Sequence, residues 1–555
     1  MSTATHINVA SHLAEMAHAQ PKTLAVACPI VSHRRKGVIY DQWNYRRLNE
    51  ETDRLAWGLE RIGIRRGVRT VLMVRPSLEF FALTFALFKV GAVAVLIDPG
   101  MGIKSLTQCL KEAEPEAFIG IGKAQVARLL FGWGKGTLKT IVTVGRRWYW
   151  GGLTLDEVRN AGGPYAEYLS VDVQSDEMAA ILFTSGSTGP PKGAVYTHGN
   201  FSAQVDILRE TFGIRPGEID LPTFPLFALF APALGMSAII PDMDFTRPGQ
   251  VDPRKIIDPI NRFSVTTMFA SPALLDRVGS YGVKNGAHLP SLCRVISAGA
   301  PVRAEVLQTF TTLLRPDTQV FTPYGATEAL PVCSIGSKEI LTDTATKSAE
   351  GAGVCVGRSV KNMSVKVIQV RDEPIETWRD DLLVSSGTIG ELVVQGPVVT
   401  RSYFNRPEST QLAKIAESNG VGFFHRMGDL GYFDDRGRLW FCGRKTHRVV
   451  TPKETLFTIP CESIFNQHPK VRRTALVGVG EPGHANPVLC VEIKKEEKGV
   501  NREALKAELL TLGGKHSLTA MIRTILFHPS FPVDIRHNAK IFREKLAVWA
   551  ARQLP

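Results

Sequence analysis

Two rhythms of apolar and polar positions alternate through the first 330 or so residues. Apolar residues fall at helical spacing from Asn44 to Ile64 and again from Leu78 to Val90, and short β-prone blocks stand around them: "RTVLMV", "AVAVLID", "AFIGI" and "TIVTV". Strands and helices in alternation predict mainly parallel sheets covered by helices. From "VKVIQV" to "GRLWFCGR" the pattern changes to short strands and turns, which predicts a small β-rich unit. After Gly443 strands and helices mix again ("TALVGVG", "VLCVEIK", "NREALKAELLTLGG"), so the expected linker lies at Gly443 to Lys445.

Two apolar segments need testing against a bilayer. The run Phe80 to Phe88 is stopped by Lys89 and feeds a strand, so it reads as a buried helix. Leu221 to Ile240 carries no charge and is long enough to span. Pro222, Pro225, Pro232 and Gly235 break any continuous helix there, and the segment is expected to form a buried strand, turn and helix. No transmembrane segment is expected, and the first residues lack the cationic-then-apolar order of a signal peptide.

Composition adds scale and charge. With 555 residues, 44% hydrophobic and 21% charged, the chain suits several packed units. A net charge of +13 favours acidic surfaces such as a nucleotide, an anionic lipid layer or an acidic protein. Basic clusters such as "SHRRKG" and "RIGIRRG" come with no nucleic-acid recognition motif, so no nucleic acid is expected as partner. The aromatic and basic stretch "RRWYWGG" fits either an interface or an interior. Eight cysteines stand singly with no C-x-x-C pair, which argues against a zinc site and for reduced, mostly buried thiols in a cytoplasmic protein, with peripheral membrane contact left open.

The candidate chemistry begins at "ILFTSGSTGPPKG", Ile181 to Gly193. A strand delivers the hydroxyls of Thr184, Ser185, Ser187 and Thr188 into a loop where Gly186 and Gly189 let backbone amides crowd an anion, and Lys192 adds positive charge. Such a loop suits phosphate, and it is not a Walker-type loop because G-x-x-x-x-G-K-[ST] is absent.

This loop resembles the signature of the adenylate-forming superfamily, which includes acyl-CoA synthetases, luciferases and peptide-synthetase adenylation domains. Further motifs follow in the family's order: "SAGAP" (Ser297 to Pro301), "YGATE" (Tyr324 to Glu328), "RMGDLGYFDDRGRLWFCGR" and "NAKIFREKL". The resemblance implies that Gly299, Ala300 and Pro301 line an adenine pocket. It also implies that Tyr324 stacks on adenine beside Gly325, that Thr327 meets the α-phosphate and that Glu328 binds Mg²⁺. Asp429 and Arg444 would hold the ribose, and Lys540 becomes the adenylating lysine, with Thr184 and Glu328 beside it in the catalytic set. The implied α/β architecture is a large N-terminal ATP- and acyl-binding domain, residues 1–443, of helix-covered sheets with a β-rich subdomain. A hinge joins it to a small, mobile α+β C-terminal domain, residues 444–555.

Several positions depart from the family pattern. Thr446 takes the place of the hinge aspartate, Lys453 that of a glycine beside the pantetheine tunnel, Ala539 that of the glycine before the terminal lysine, and Ala228 that of a frequent histidine. Together they put transfer to CoA in doubt. The blocks "VLMVRPSLEFFALTFALFKVGAVAVLIDPG", "CLKEAEPEAFIGI", "WYWGG" and "PYGATEALPV" resemble a narrower group, the β-lactone synthetases of bacterial long-chain olefin biosynthesis. That resemblance implies a long-chain 2-alkyl-3-hydroxy fatty acid as substrate with ATP and Mg²⁺, no CoA, and other olefin-pathway enzymes or an anionic lipid surface as partners; the alternative is a long-chain acyl-CoA or acyl-AMP ligase. The segment "FPLFALFAPALGM" offers Phe224, Phe227, Ala228 and Phe230 as acyl-pocket wall. His198 reads as structural, and the base for ring closure is unassigned, with His447 as one candidate.

Overall fold

A computed structural model of the chain describes residues 7–30, 38–164, 166–184, 190–418, 420–497, 499–533 and 541–554. Its first sheet has seven strands, in the spatial order Leu153–Thr154, Thr140–Val144, Ala117–Ile121, Arg69–Met73, Val93–Ile97, Met178–Thr184 and Lys192–Thr197. Every neighbouring pair is parallel except the last, an antiparallel pair whose register ends at Thr184↔Lys192. The expected alternation is thus present, for a local reason: helix-capping side chains follow or interrupt the strands. Asn44 accepts from the Arg47 N–H to start the helix Tyr45–Arg61, and Ser77 accepts from the Phe80 N–H to start Leu78–Lys89. The second helix is buried on all sides, as its unbroken apolar run requires. Its last residue, Lys89, is buried too and is compensated by Asp53 and by Asn49, whose Oδ1 accepts from Lys89 Nζ at 2.8 Å.

The second sheet is larger. Its parallel half runs through Ser237–Ile239, Ile219–Pro222, Thr267–Ala270, Arg294–Ser297 and Gln319–Ala326. The charge-free segment Leu221 to Ile240 therefore folds as a strand end, the short helices Pro225–Ala228 and Phe230–Leu234, and another strand. Among the described residues no helix is long and apolar enough to cross a membrane. The β-rich stretch forms an antiparallel half of the same sheet. Only the pairs Cys333↔Ser359 and Ser334↔Arg358 join strand Ala329–Gly336 to Val354–Ser359, so the change of pattern in the sequence marks a change of strand direction within one ladder.

The last part of the chain holds a three-stranded sheet, Val471–Val479, Asn486–Ile493 and Thr524–Phe527. Helices Thr458–Phe465, Arg502–Gly514 and Arg543–Ala551 accompany it. Arg543 ties the last helix to the first by a bidentate pair to the buried Glu462, with Nη2 to Oε2 at 2.6 Å. All eight cysteines are free, and all but Cys293 are buried.

Candidate active site

The motif "YGATE" sits at the tip of the hairpin between strands Gln319–Ala326 and Ala329–Gly336. Gly325 is required there because a Cβ would lie 2.4 Å from the Ala329 carbonyl oxygen, closer than the two strands allow. The tip is fixed from outside. The Tyr196 hydroxyl donates to the Thr327 carbonyl, the Thr400 N–H donates to the Glu328 carbonyl at 2.9 Å, and the Tyr403 hydroxyl donates to Glu328 Oε1 at 2.6 Å. Among the described residues no bond is made to Glu328 Oε2.

Thr327, Glu328, Gly325, Gly299, Lys192 and Arg444 all border one cavity of about 1570 Å³. Behind its polar end, the Tyr324 hydroxyl donates to Asp429 Oδ2 at 2.6 Å, and Arg444 Nε lies 3.1 Å from Asp429 Oδ1. Register explains that pair: strands Phe423–Phe433 and Leu439–Arg444 run antiparallel with Asp429 opposite Arg444. The aspartate charge holds the Arg444 guanidinium above its ordinary pKa, and burial with the same aspartate nearby pushes the Tyr324 phenol well up. Both groups therefore keep their donor protons. Ala300 and Pro301 follow Gly299 without joining the cavity wall.

Phe224, Phe227 and Phe230 line the apolar part of the cavity, and Phe227 stacks on Phe269 with ring centroids 3.9 Å apart. Ala228, expected beside them, is absent from the described wall because its methyl group is buried in the core cluster against which those phenylalanines pack. The phosphate-loop residues Ser185, Gly186, Ser187, Thr188 and Gly189, the side chain of Thr184, and Lys540 lie outside the described residues. His198 is fully buried and its Nδ1 accepts from the Val9 N–H at 3.2 Å; desolvation lowers it to about 4, as a structural imidazole requires.

Three residues that no motif singled out lie at or beside the polar end. The Tyr403 ring carries the Lys192 ammonium 5.1 Å from its centroid, so one side chain touches both the candidate metal ligand and the candidate phosphate cation. Lys414 donates to the Thr400 carbonyl, and desolvation lowers its pKa to about 7 against the opposing pull of Glu328. His425, opposite Lys414 in the strand register, borders the cavity; desolvation and then the Lys414 charge hold its pKa well below the ordinary value. Isolated in "RSYFNRPESTQLAKI" and "GFFHRM", none of the three gives a sequence signal.

Residues 13–404 match the family described as AMP-binding enzyme. The chain belongs to the AMP-binding enzyme family. This AMP-binding enzyme is 50% identical, over 553 residues covering 99% of its chain and 98% of the relative, to an olefin beta-lactone synthetase of Xanthomonas campestris pv. campestris. A protein of the same description from Stenotrophomonas maltophilia is 50% identical over 552 residues, covering 99% and 98% of the two chains. In fold it resembles the amide bond synthetase McbA of Marinactinospora thermotolerans, with a TM-score of 0.78 at 20% identity, covering 98% of this chain and 99% of that one. The cavity has a charged end, bordered by Lys192, Glu328 and Arg444, and a phenylalanine-lined end.

Proposed function

We propose that this chain is an ATP-dependent β-lactone synthetase that converts a long-chain 2-alkyl-3-hydroxy fatty acid to a β-lactone, releasing AMP and pyrophosphate. The observation that carries this reading is half identity to two olefin beta-lactone synthetases along almost the entire length of both chains. In the first step the substrate carboxylate oxygen attacks the α-phosphorus of ATP, and the bond to pyrophosphate breaks. Lys540 and the Thr184 to Lys192 loop are the proposed stabilisers of that charge, with Thr327 at the α-phosphate. Arg444, set by Asp429 behind it, is the proposed ribose contact, and Gly299 with the strand that carries Tyr324 is the proposed wall for the base.

Glu328 suits Mg²⁺: its carboxylate borders the cavity, Tyr403 orients Oε1, and Oε2 has no described partner. When bound, the ion would offset phosphate charge. In the second step the substrate's own 3-hydroxyl oxygen attacks the acyl carbon, the hydroxyl proton leaves, and the bond to AMP breaks. The chain's part is to hold the hydroxyl against the carbonyl, where orientation alone supplies effective concentrations of ~10⁵ M or more, and to keep water from the adenylate. The tethered nucleophile needs no thiol. We further propose residues 1–443 and 444–555 as the two domains, with the hinge beside Gly443 and Arg444, next to Lys445, whose Nζ is paired with the buried Glu391 at 3.1 Å. Enzymes that make 3-hydroxy acids and consume β-lactones are the expected pathway partners.

The test incubates purified protein with Mg·ATP and a synthetic 2-alkyl-3-hydroxy acid, with and without CoA, and identifies the product by NMR. A β-lactone formed without CoA is expected. A thioester that appears only with CoA would reject the proposal.

A further inference from the structure

The stretch Ala117 to Leu155 contains no acidic residue and six cations, Lys123, Arg128, Lys135, Lys139, Arg146 and Arg147. Its surface also carries large apolar side chains that the fold leaves uncovered. Leu129, Leu130 and Phe131 end the helix Gly122–Phe131 exposed, Leu130 by 74%. At the other end of the helix, Trp150 packs against Gly122 and its indole N–H donates to Thr143 Oγ1 at 2.9 Å. Trp148 stacks on Trp150 with centroids 5.8 Å apart, and both Trp148 and Tyr149 project into solvent, Tyr149 completely. Trp150 thus acts as a fixed base on which Trp148 stacks, and Tyr149 between them in sequence stands bare.

We propose that this face docks the enzyme on an anionic lipid surface. Apolar and aromatic tips set among lysines and arginines match the layered chemistry of a bilayer interface, where rings and aliphatic chains enter below the headgroups and cations stay level with them. Protein–protein interfaces are poor in lysine at their centre. The charge is available, too. Lys135 and Arg146 are exposed and form no ion pair with a described acid, while the flanking acids Glu116, Asp156 and Glu157 are already paired with Lys139, Arg159 and Arg147. The docking does not depend on the reaction proposed above. If that reading also holds, the face gives the acyl chain a short route, because Ala124, Ala127 and Trp133, behind the exposed side of the same helix, border the cavity.

The experiment is co-sedimentation of the full chain with vesicles of phosphatidylcholine alone and with vesicles that also contain phosphatidylglycerol, at low and high salt. Wild type pellets with the anionic vesicles, less at high salt, and little with the neutral ones. Trp148→Ser with Tyr149→Ser, and separately Lys135→Glu with Arg146→Glu, each weaken that binding by about tenfold or more. Their melting temperature and pyrophosphate release with a soluble short-chain 3-hydroxy acid stay at the wild-type level. No vesicle binding by wild type, or equal binding by the variants, overturns the proposal. So does loss of self-association in the variants without any vesicle binding, which would make the face a contact between copies. Vesicle binding reads out whether or not a lactone forms, so the two proposals fail separately.

Discussion

Tyr403→Phe isolates one hydrogen bond at the centre of the site. The wild-type hydroxyl donates to Glu328 Oε1 at 2.6 Å from a ring that is 9% exposed, while the ring face lies under the Lys192 ammonium. Phenylalanine keeps the ring, its packing and the contact with Lys192. Only the donor to the carboxylate is lost. A hydrogen bond to a charged group contributes about 1.5–3 kcal/mol, and groups that orient a metal ligand typically account for ~10–100-fold in metal affinity or activity; the two ranges agree. Pyrophosphate release measured against Mg²⁺ concentration should therefore show the apparent KM for Mg²⁺ raised by roughly 10–100-fold, with the melting temperature little changed. A purely structural tyrosine would do the reverse. If the Mg²⁺ dependence of the variant overlays that of wild type, Glu328 is not held for a metal by Tyr403, and its assignment as the Mg²⁺ ligand loses its geometric support.

Other outcomes can be checked independently. Lys89→Met leaves Asp53 buried without its cation and should reduce stability by about 3–5 kcal/mol in urea denaturation; adding Asp53→Leu should restore most of it, and a small cost for the single change would refute the pairing. Lys414 has a pKa of about 7 in the fold against about 10.4 when exposed. Between those values the unfolded chain holds one more proton, so stability rises with pH by at most about 4–5 kcal/mol across that window. Lys414→Met removes this component, and parallel stability curves for the variant and wild type from pH 7 to 10 would show that Lys414 is not desolvated as described. Ala233 borders the cavity among the phenylalanines; Ala233→Leu should shift preference to shorter acyl chains, each lost buried methylene changing kcat/KM by about fourfold. An unchanged chain-length profile would place the acyl group elsewhere.

What could be read from the sequence was what is local. The "YGATE" block is legible because a hairpin tip that needs glycine at 325, for contact with the Ala329 carbonyl, must be written in consecutive residues. The parallel sheet was legible for the same reason: buried helices such as Leu78–Lys89 advertise themselves by unbroken apolar runs with a serine cap in front. The β-rich stretch was legible as strands but not as part of the large sheet, since only two residue pairs around Cys333 and Ser334 decide the join. Ala228 shows the limit at a single residue, since within one aromatic segment its methyl group is buried in the core while the neighbouring rings border the cavity.

The chain's residues alone determined that it would carry parallel sheets and belong to the AMP-binding enzyme family. The tertiary structure decided which groups share the site. Tyr403 reaches Glu328 from 75 residues away, Lys414 and His425 meet through strand register, and Trp150, with Trp148 stacked on it, sits on a helix it does not adjoin in sequence. Periodicity and capping act over a few residues and are written where they act. Hydrogen bonds and desolvation act between atoms in contact, and folding chooses those contacts.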